Sequence, residues 1–154
     1  MTIKRIILSF IILISSLSAI AGGIGTWKSY LSYANIQWVE QGGNRLYVLA
    51  SNTLYTYNKA DQSIQTYDKQ NGLSSIDIRF IGWNEVAKRL VIVYEDNNID
   101  LMDAKGNVTN VPDYYLKALT SDKTVYSIDM NGAYCYLSTG FGLVKLNVAK
   151  AEIS

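Results

Sequence analysis

From residue 36 onward the chain is a succession of short runs in which apolar and polar side chains alternate, broken by Gly, Asn and Asp. Alternation of period two marks a strand with one face buried and the other in water. The runs come in sets. Ile36–Gln41, Arg45–Ala50, Leu54–Asn58 and Ile64–Tyr67 form the first set. Ile76–Trp83, Arg89–Tyr94, Ile99–Asp103 and Val108–Val111 form the second. Val125–Met130, Ala133–Ser138 and Leu143–Asn147 form the third, where Ile153 opens a fourth run. The joints carry Gly42-Gly43-Asn44, Asn52-Thr53, Ala60-Asp61-Gln62, Asp96-Asn97-Asn98 and Lys105-Gly106-Asn107. Gly, Asn and Asp tolerate the positive φ that tight hairpins require, and Asn131-Gly132 is the strongest such signal.

The sets are copies of one another. Leu46, Leu90 and Tyr134 recur at one interval (90 − 46 = 134 − 90 = 44), and Asn58, Asp103 and Asn147 recur at 45 and 44. A period of roughly 40–45 residues carrying four short strands is that of a β-propeller blade. Blades cannot bury their faces alone, and a ring needs at least about four of them. The expectation is therefore an all-β fold: a partial β-propeller of about three four-stranded blades, near 36–67, 76–111 and 125–154. The last is incomplete, and the chain reads as the front of a longer protein. Trp27-Lys28-Ser29-Tyr30 resembles Ile64-Gln65-Thr66-Tyr67, so residues 26–31 are expected to be an orphan fourth strand. Propellers close when the amino terminus supplies one strand of the last blade, which removes exposed edges.

Residues 1–21 read differently. Lys4 and Arg5 precede the apolar run Ile6–Ile14, then Ser15-Ser16-Leu17-Ser18, then the small-x-small site Ala19-Ile20-Ala21. This is the pattern of a secretory signal peptide. The apolar core is shorter than the roughly 20 residues of a spanning helix, and serines interrupt it. Gly22 stands where a lipoprotein carries cysteine. The mature segment, 22–154, is expected to have no integral membrane span.

Cleavage removes two basic residues and no acid, so 14 basic and 13 acidic side chains become 12 and 13. A balance near neutrality offers no footprint for nucleic acid. The 12 tyrosines and three tryptophans favour strands. Cys135 is the single cysteine, so an exported chain can form no internal disulfide, and packing as a small apolar side chain is expected.

The absent residues constrain the chemistry. Without histidine, Ser-His-Asp and Cys-His catalysis and every His-ligated metal site are excluded from this segment. No phosphate loop or nucleophile elbow occurs, no cofactor is expected, and no enzymatic activity is assigned. Asp96-Asn97-Asn98-Ile99-Asp100 clusters hard oxygen ligands, but it lacks the glycine and distal glutamate of a calcium loop and falls where a hairpin turn is needed. Asp77, Asp96 and Asp129 have the chemistry of a glycosidase pair, but the sequence does not fix whether they approach one another at the propeller centre.

Asn71-Gly72-Leu73-Ser74-Ser75 ahead of a strand, and Gly142-Leu143-Val144-Lys145-Leu146-Asn147, resemble the repeat of two-component regulator propellers. With a signal peptide and Gly-Thr-Trp-Lys-Ser-Tyr-Leu-Ser-Tyr at 25–33, the mature chain more particularly resembles the N-terminal propeller of the PorZ family of the type IX secretion system. The resemblance implies a non-enzymatic scaffold at the outer-membrane surface of a Bacteroidetes-type bacterium, reached through the periplasm. Its implied partners are a sortase-type protein and anionic lipopolysaccharide. The alternative is the extracellular sensor of a hybrid two-component histidine kinase, which uses the same repeats.

In a propeller the blade-to-blade loops and the turns between second and third strands share one face, where ligands and partners are met. Here that face holds Asp68–Ser75, Pro112–Asp122, Asn52, Asp96–Asn98 and Gly140–Phe141. Tyr114, Tyr115 and Lys117 combine stacking surface with a cation and are the foremost candidates, with Asn52, Asp96 and Asn97 beside them. One of the two tyrosines can instead fill the gap between blades.

Overall fold

A computed structural model describes residues 34–154; the expected signal peptide and the strand at 26–31 lie outside the described residues. Twelve strands form three separate four-stranded antiparallel sheets, each a simple meander. Blade 1 is β1 (Ile36–Gly42), β2 (Arg45–Ala50), β3 (Thr53–Asn58) and β4 (Ile64–Tyr67). Blade 2 is β5 (Ile78–Asn84), β6 (Arg89–Tyr94), β7 (Ile99–Asp103) and β8 (Val108–Asn110). Blade 3 is β9 (Val125–Asn131), β10 (Tyr134–Thr139), β11 (Gly142–Asn147) and the two-residue β12 (Glu152–Ile153). A single turn of helix, α1 (Asp113–Leu116), interrupts the connection from blade 2 to blade 3. The architecture is the partial propeller that the repeat predicts, and the ring is not closed.

The spaced Asn58, Asp103 and Asn147 have a shared local cause. Each side-chain oxygen accepts a main-chain N–H two or three residues on, from Ala60, Lys105 and Lys150. An Asx side chain in this position mimics a turn, so the residue type recurs wherever β3 and its copies must reverse. Pairing to these residues also sets the register, and here the third blade departs from the spacing of 44. Arg45 pairs with Asn58, Arg89 with Asp103, and Tyr134 with Asn147. Cys135, rather than Tyr134, is thus the counterpart of Leu46 and Leu90. A shift of one residue exchanges the two faces of a strand. Accordingly Cys135 and Leu137 are fully buried, while Tyr134 is only half-buried.

Two cores fill the gaps between blades. Tyr47, Leu49, Leu54 and Tyr67 of blade 1 meet Leu90, Ile92, Tyr94 and Met102 of blade 2. Val91, Val93, Ile99 and Leu101 on the opposite side of blade 2 meet Val125, Cys135, Leu137, Val144 and Leu146 of blade 3. Blade 2 is buried on both sides, which is why β6 and β7 read as near-continuous apolar runs. β1 lies against β5 and β5 against β9. Their approach needs glycine: a Cβ at Gly42 would stand 2.6 Å from the Trp83 ring, and one at Gly82 2.6 Å from Met130 Cε. Among the described residues the outer side of blade 3 has no such cover. Leu143 takes the register position of Leu54 and Ile99, both wholly buried, yet it is 68% exposed.

Candidate functional site

The loops that the repeat assigns to one face are joined by hydrogen bonds. Ile78 N–H donates to Asn52 O, Glu95 N–H to Asp77 O, and Gly140 N–H to Thr124 O. The Ser75 hydroxyl donates to Asp96 Oδ2 at 2.6 Å. The β2–β3, β6–β7 and β10–β11 turns and both blade-to-blade connections therefore form a single surface, the loop face.

Underneath it lies a buried carboxylate. Asp100, on β7, is 0% exposed. Its Oδ2 accepts from the Tyr94 hydroxyl at 2.6 Å and from Ser74 N–H at 2.8 Å, and its Oδ1 accepts from Asn110 Nδ2 at 2.8 Å. Burial, then the bond to Asp100, pushes the Tyr94 phenol well above its ordinary value. Leu73 is buried and Gly72 takes φ +122°, a value that strongly favours glycine. These positions give the Gly72-Leu73-Ser74-Ser75 motif a physical reading. Glycine turns the chain, leucine plugs it into the core, and the next two residues hand an N–H and a hydroxyl to the acids of the neighbouring strand and turn.

Each inner strand carries a bulge near its start, leaving Gln37, Arg79 and Tyr126 unpaired in the ladder. Bulges re-aim side chains, and all three are aimed onto the loop face. Gln37 clasps Asn52, donating from Nε2 to Oδ1 at 3.0 Å and accepting Asn52 N–H at 2.9 Å. Arg79 donates to Glu95 at 2.8 Å, and the Tyr126 hydroxyl to Asp122 at 2.7 Å. Asp122 is held below the ordinary carboxylate range, first by its bonds from Thr124, then by Tyr126 and the nearby Arg79. Tyr126 keeps 55% of its surface exposed. Sequence reasoning passed over these three residues. Their signal is faint, being the same offset from the start of each repeat with three different side chains.

The residues singled out from sequence divide between two roles. Tyr114, on α1, is 3% exposed; its hydroxyl donates to Lys123 O at 2.6 Å and its ring lies 6.3 Å from that of Phe141. It fills the space between blades 2 and 3. Tyr115 is 47% exposed, and Lys117 lines a cleft of about 340 Å³ with Leu119, Phe141 and Leu143. Lys123 Nζ donates to both Tyr115 O and Lys117 O, which closes the connection into a compact loop. Asn52, Asp96 and Asn97 shape turns: Asn52 and Asn97 take φ of 60° and 68°, and Asp96 Oδ1 accepts Asn98 N–H. Asp77 also takes a positive φ, and Asp129 is exposed on β9. Among the described residues no three acidic or thiol side chains gather as metal ligands, and no helix is long and apolar enough to cross a membrane. Cys135 is buried, and burial pushes its thiol up to about 12.

Rigid meander blades with polar side chains delivered to one loop face define a β-propeller module. Residues 46–154 match the model of the N-terminal β-propeller domain of PorZ, of the type IX secretion system, and the chain belongs to that family. Among solved structures it is similar to PorZ of Porphyromonas gingivalis, described as an essential bacterial surface component of that system. The two share 33% identity with a TM-score of 0.76, over 84% of this chain and 17% of that one. The extracellular domains of two putative B. thetaiotaomicron systems share the fold alone. BT4673, described as a one-component system, matches at 15% identity and TM-score 0.62, over 84% of this chain and 17% of its own. BT3049, a hybrid two-component system, matches at 18% and 0.58, over 83% and 20%. No curated protein matches the chain.

Proposed function

We propose that the protein is a non-enzymatic scaffold and binding component of the type IX secretion attachment machinery, exported to the cell surface. The observation that carries this reading is family membership together with 33% identity to a PorZ described as a surface component. Its loop face meets the partner, with anionic lipopolysaccharide as the ligand class and a sortase-type protein as companion. Exposed Tyr115 and Tyr126 supply stacking surface, and exposed Lys117 supplies a cation. Tyr114 contributes from the interior by fixing the loop rather than by contact.

The test uses full-length protein and purified anionic lipopolysaccharide. Tyr115→Ala with Lys117→Ala weakens binding tenfold or more, while thermal stability is unchanged. The far-face control is Lys105→Ala, because Gly106 takes φ +93° and a Cβ there would stand 2.7 Å from the Tyr67 hydroxyl, so altering it disturbs the fold. Unchanged binding in the double variant, with loss in the control, assigns the opposite face. The sensor reading predicts a spanning helix and kinase domain after the propeller. The secretion reading predicts a second propeller and a β-sandwich tail.

A further inference from the structure

The outer face of blade 3 differs in chemistry from the faces that blades 1 and 2 bury. Pairing across the second and third strands puts Tyr47 beside Thr56 in blade 1, Val91 beside Leu101 in blade 2, and Tyr136 beside Lys145 in blade 3. In the next row toward the loop face, Leu49 with Leu54 and Val93 with Ile99 give way to Ser138 with Leu143. The eight side chains of blades 1 and 2 are each at most 3% exposed. In blade 3 Ser138 and Leu143 are exposed, and Tyr136 and Lys145 are half-buried. A cation thus stands in the row where the neighbouring blades carry a threonine and a leucine.

Lys145 Nζ lies 4.0 Å from the centroid of the Tyr134 ring, which holds the ammonium over the sheet. Among the described residues it has no acid partner. The ion pairs there are Arg79–Glu95 and Lys88–Glu85, and Asp129, in the same row on β9, is separated from the lysine by Tyr136. Residues 1–33 contain no acid at all.

The first two gaps show what covers such a face. In each, the sheet of the neighbouring blade is laid against it and the row is shut off from water. The ring is not closed, and the chain spans 17% of the PorZ to which it is similar. Covering blade 3 in the same way takes Lys145 out of water, where a charge is costly unless paired. The Tyr134 ring offsets part of that cost. An ionised acceptor offsets more, because its bond to the ammonium is charge-assisted. A blade of this protein already carries an acid on the side it presents to its predecessor: Asp100 of blade 2 accepts from Ser74 N–H, in the connection from blade 1.

We infer that the outer face of blade 3 docks a further blade of the same full-length polypeptide, and that this blade presents a carboxylate to Lys145. An ion pair then occupies the row that Thr56 and Leu101 fill without charge. The inference rests on the fold and its register, and not on the ligand proposed above.

The test uses the native full-length protein. Acetylation by a water-soluble succinimidyl ester, read peptide by peptide, modifies Lys145 about tenfold more slowly than the exposed Lys105. A zero-length carbodiimide cross-link joins Lys145 Nζ to an Asp or Glu outside residues 1–154. Mixing isotopically light and heavy protein gives no hybrid cross-link. Lys145→Glu sets two acids against each other and lowers the thermal midpoint by about 5 °C or more. Exchanging the cross-linked acid for lysine in that background recovers much of the loss. The inference is overturned if Lys145 is acetylated as fast as Lys105, or if it is protected but joins no acid. A cross-link to Asp129 or to a second molecule overturns it too, as does an unchanged midpoint in Lys145→Glu or an exchange that recovers nothing. Acetylation and cross-linking use the unaltered protein, so they decide the matter even where Lys145→Glu does not fold.

Discussion

Asp100 is the residue whose removal tests the account of the loop face most directly. Its carboxylate accepts from three donors: the Tyr94 hydroxyl, the Ser74 N–H and Asn110 Nδ2. Asp100→Ala leaves the first two buried or half-buried without that partner; Asn110 keeps its bonds to Asn98 Oδ1 and Ile99 O. An abandoned buried donor costs about 1–3 kcal/mol, and bonds to a charged group sit near the top of that range. The Ser74 bond also anchors the blade 1–blade 2 connection, so its loss frees that loop. Partial relaxation returns some of the cost, and the expected destabilisation is about 3–5 kcal/mol. Tyr94→Phe removes one bond and leaves the carboxylate two donors, for about 1–2 kcal/mol. The assay is urea unfolding of the full chain followed by far-UV circular dichroism, with the double variant completing a cycle. The cycle should show coupling of about 1 kcal/mol or more between the two sites. If Asp100→Ala costs under about 1 kcal/mol, or no more than Tyr94→Phe, the carboxylate is not the organising group and the reading of the Gly-Leu-Ser-Ser motif fails.

Two further outcomes follow from the packing and the titrations. Gly42→Ala drives a methyl group into the Trp83 ring at 2.6 Å and should cost about 1–3 kcal/mol. Gly82→Ala meets the flexible end of Met130 and should cost less; thermal melts giving the reverse order would contradict the interblade packing. The Cys135 thiol rises from an ordinary 9.0 to about 12, and Tyr47, Tyr94 and Tyr114 rise from 10.0, each with burial as the largest cause. The unfolded chain therefore releases protons first. Stability is fully present below about pH 9 and falls as pH rises, by at most about 1.4 kcal/mol per pH unit for each group. Cys135→Ala should flatten the part of the decline that begins below the tyrosine range; an unchanged slope there would show the thiol is not shielded.

What the sequence determined by itself was everything that rests on local alternation. Strand order, the meander within each blade, the Asx residues closing each third strand and the blade period are all set by backbone conformation and by one strand's need for a wet and a dry face. The motif of the two-component regulator propeller repeat was equally legible as a string, since Gly72, Leu73, Ser74 and Ser75 are neighbours. Its meaning was not, because Asp100 enters it from another strand, having read in sequence as one member of an acidic turn. The register of β10 was beyond the spacing as well: Tyr134 and Cys135 are adjacent, and only pairing with Asn147 decides which turns inward. Tyr114 and Tyr115 are chemically identical, and the fold of the connection buries one and exposes the other. The bulges at Gln37, Arg79 and Tyr126 depend on which sheet faces which. Alternation along a strand determines that a side chain leaves the sheet on a given side. Only the packing of one blade against the next decides what it meets there.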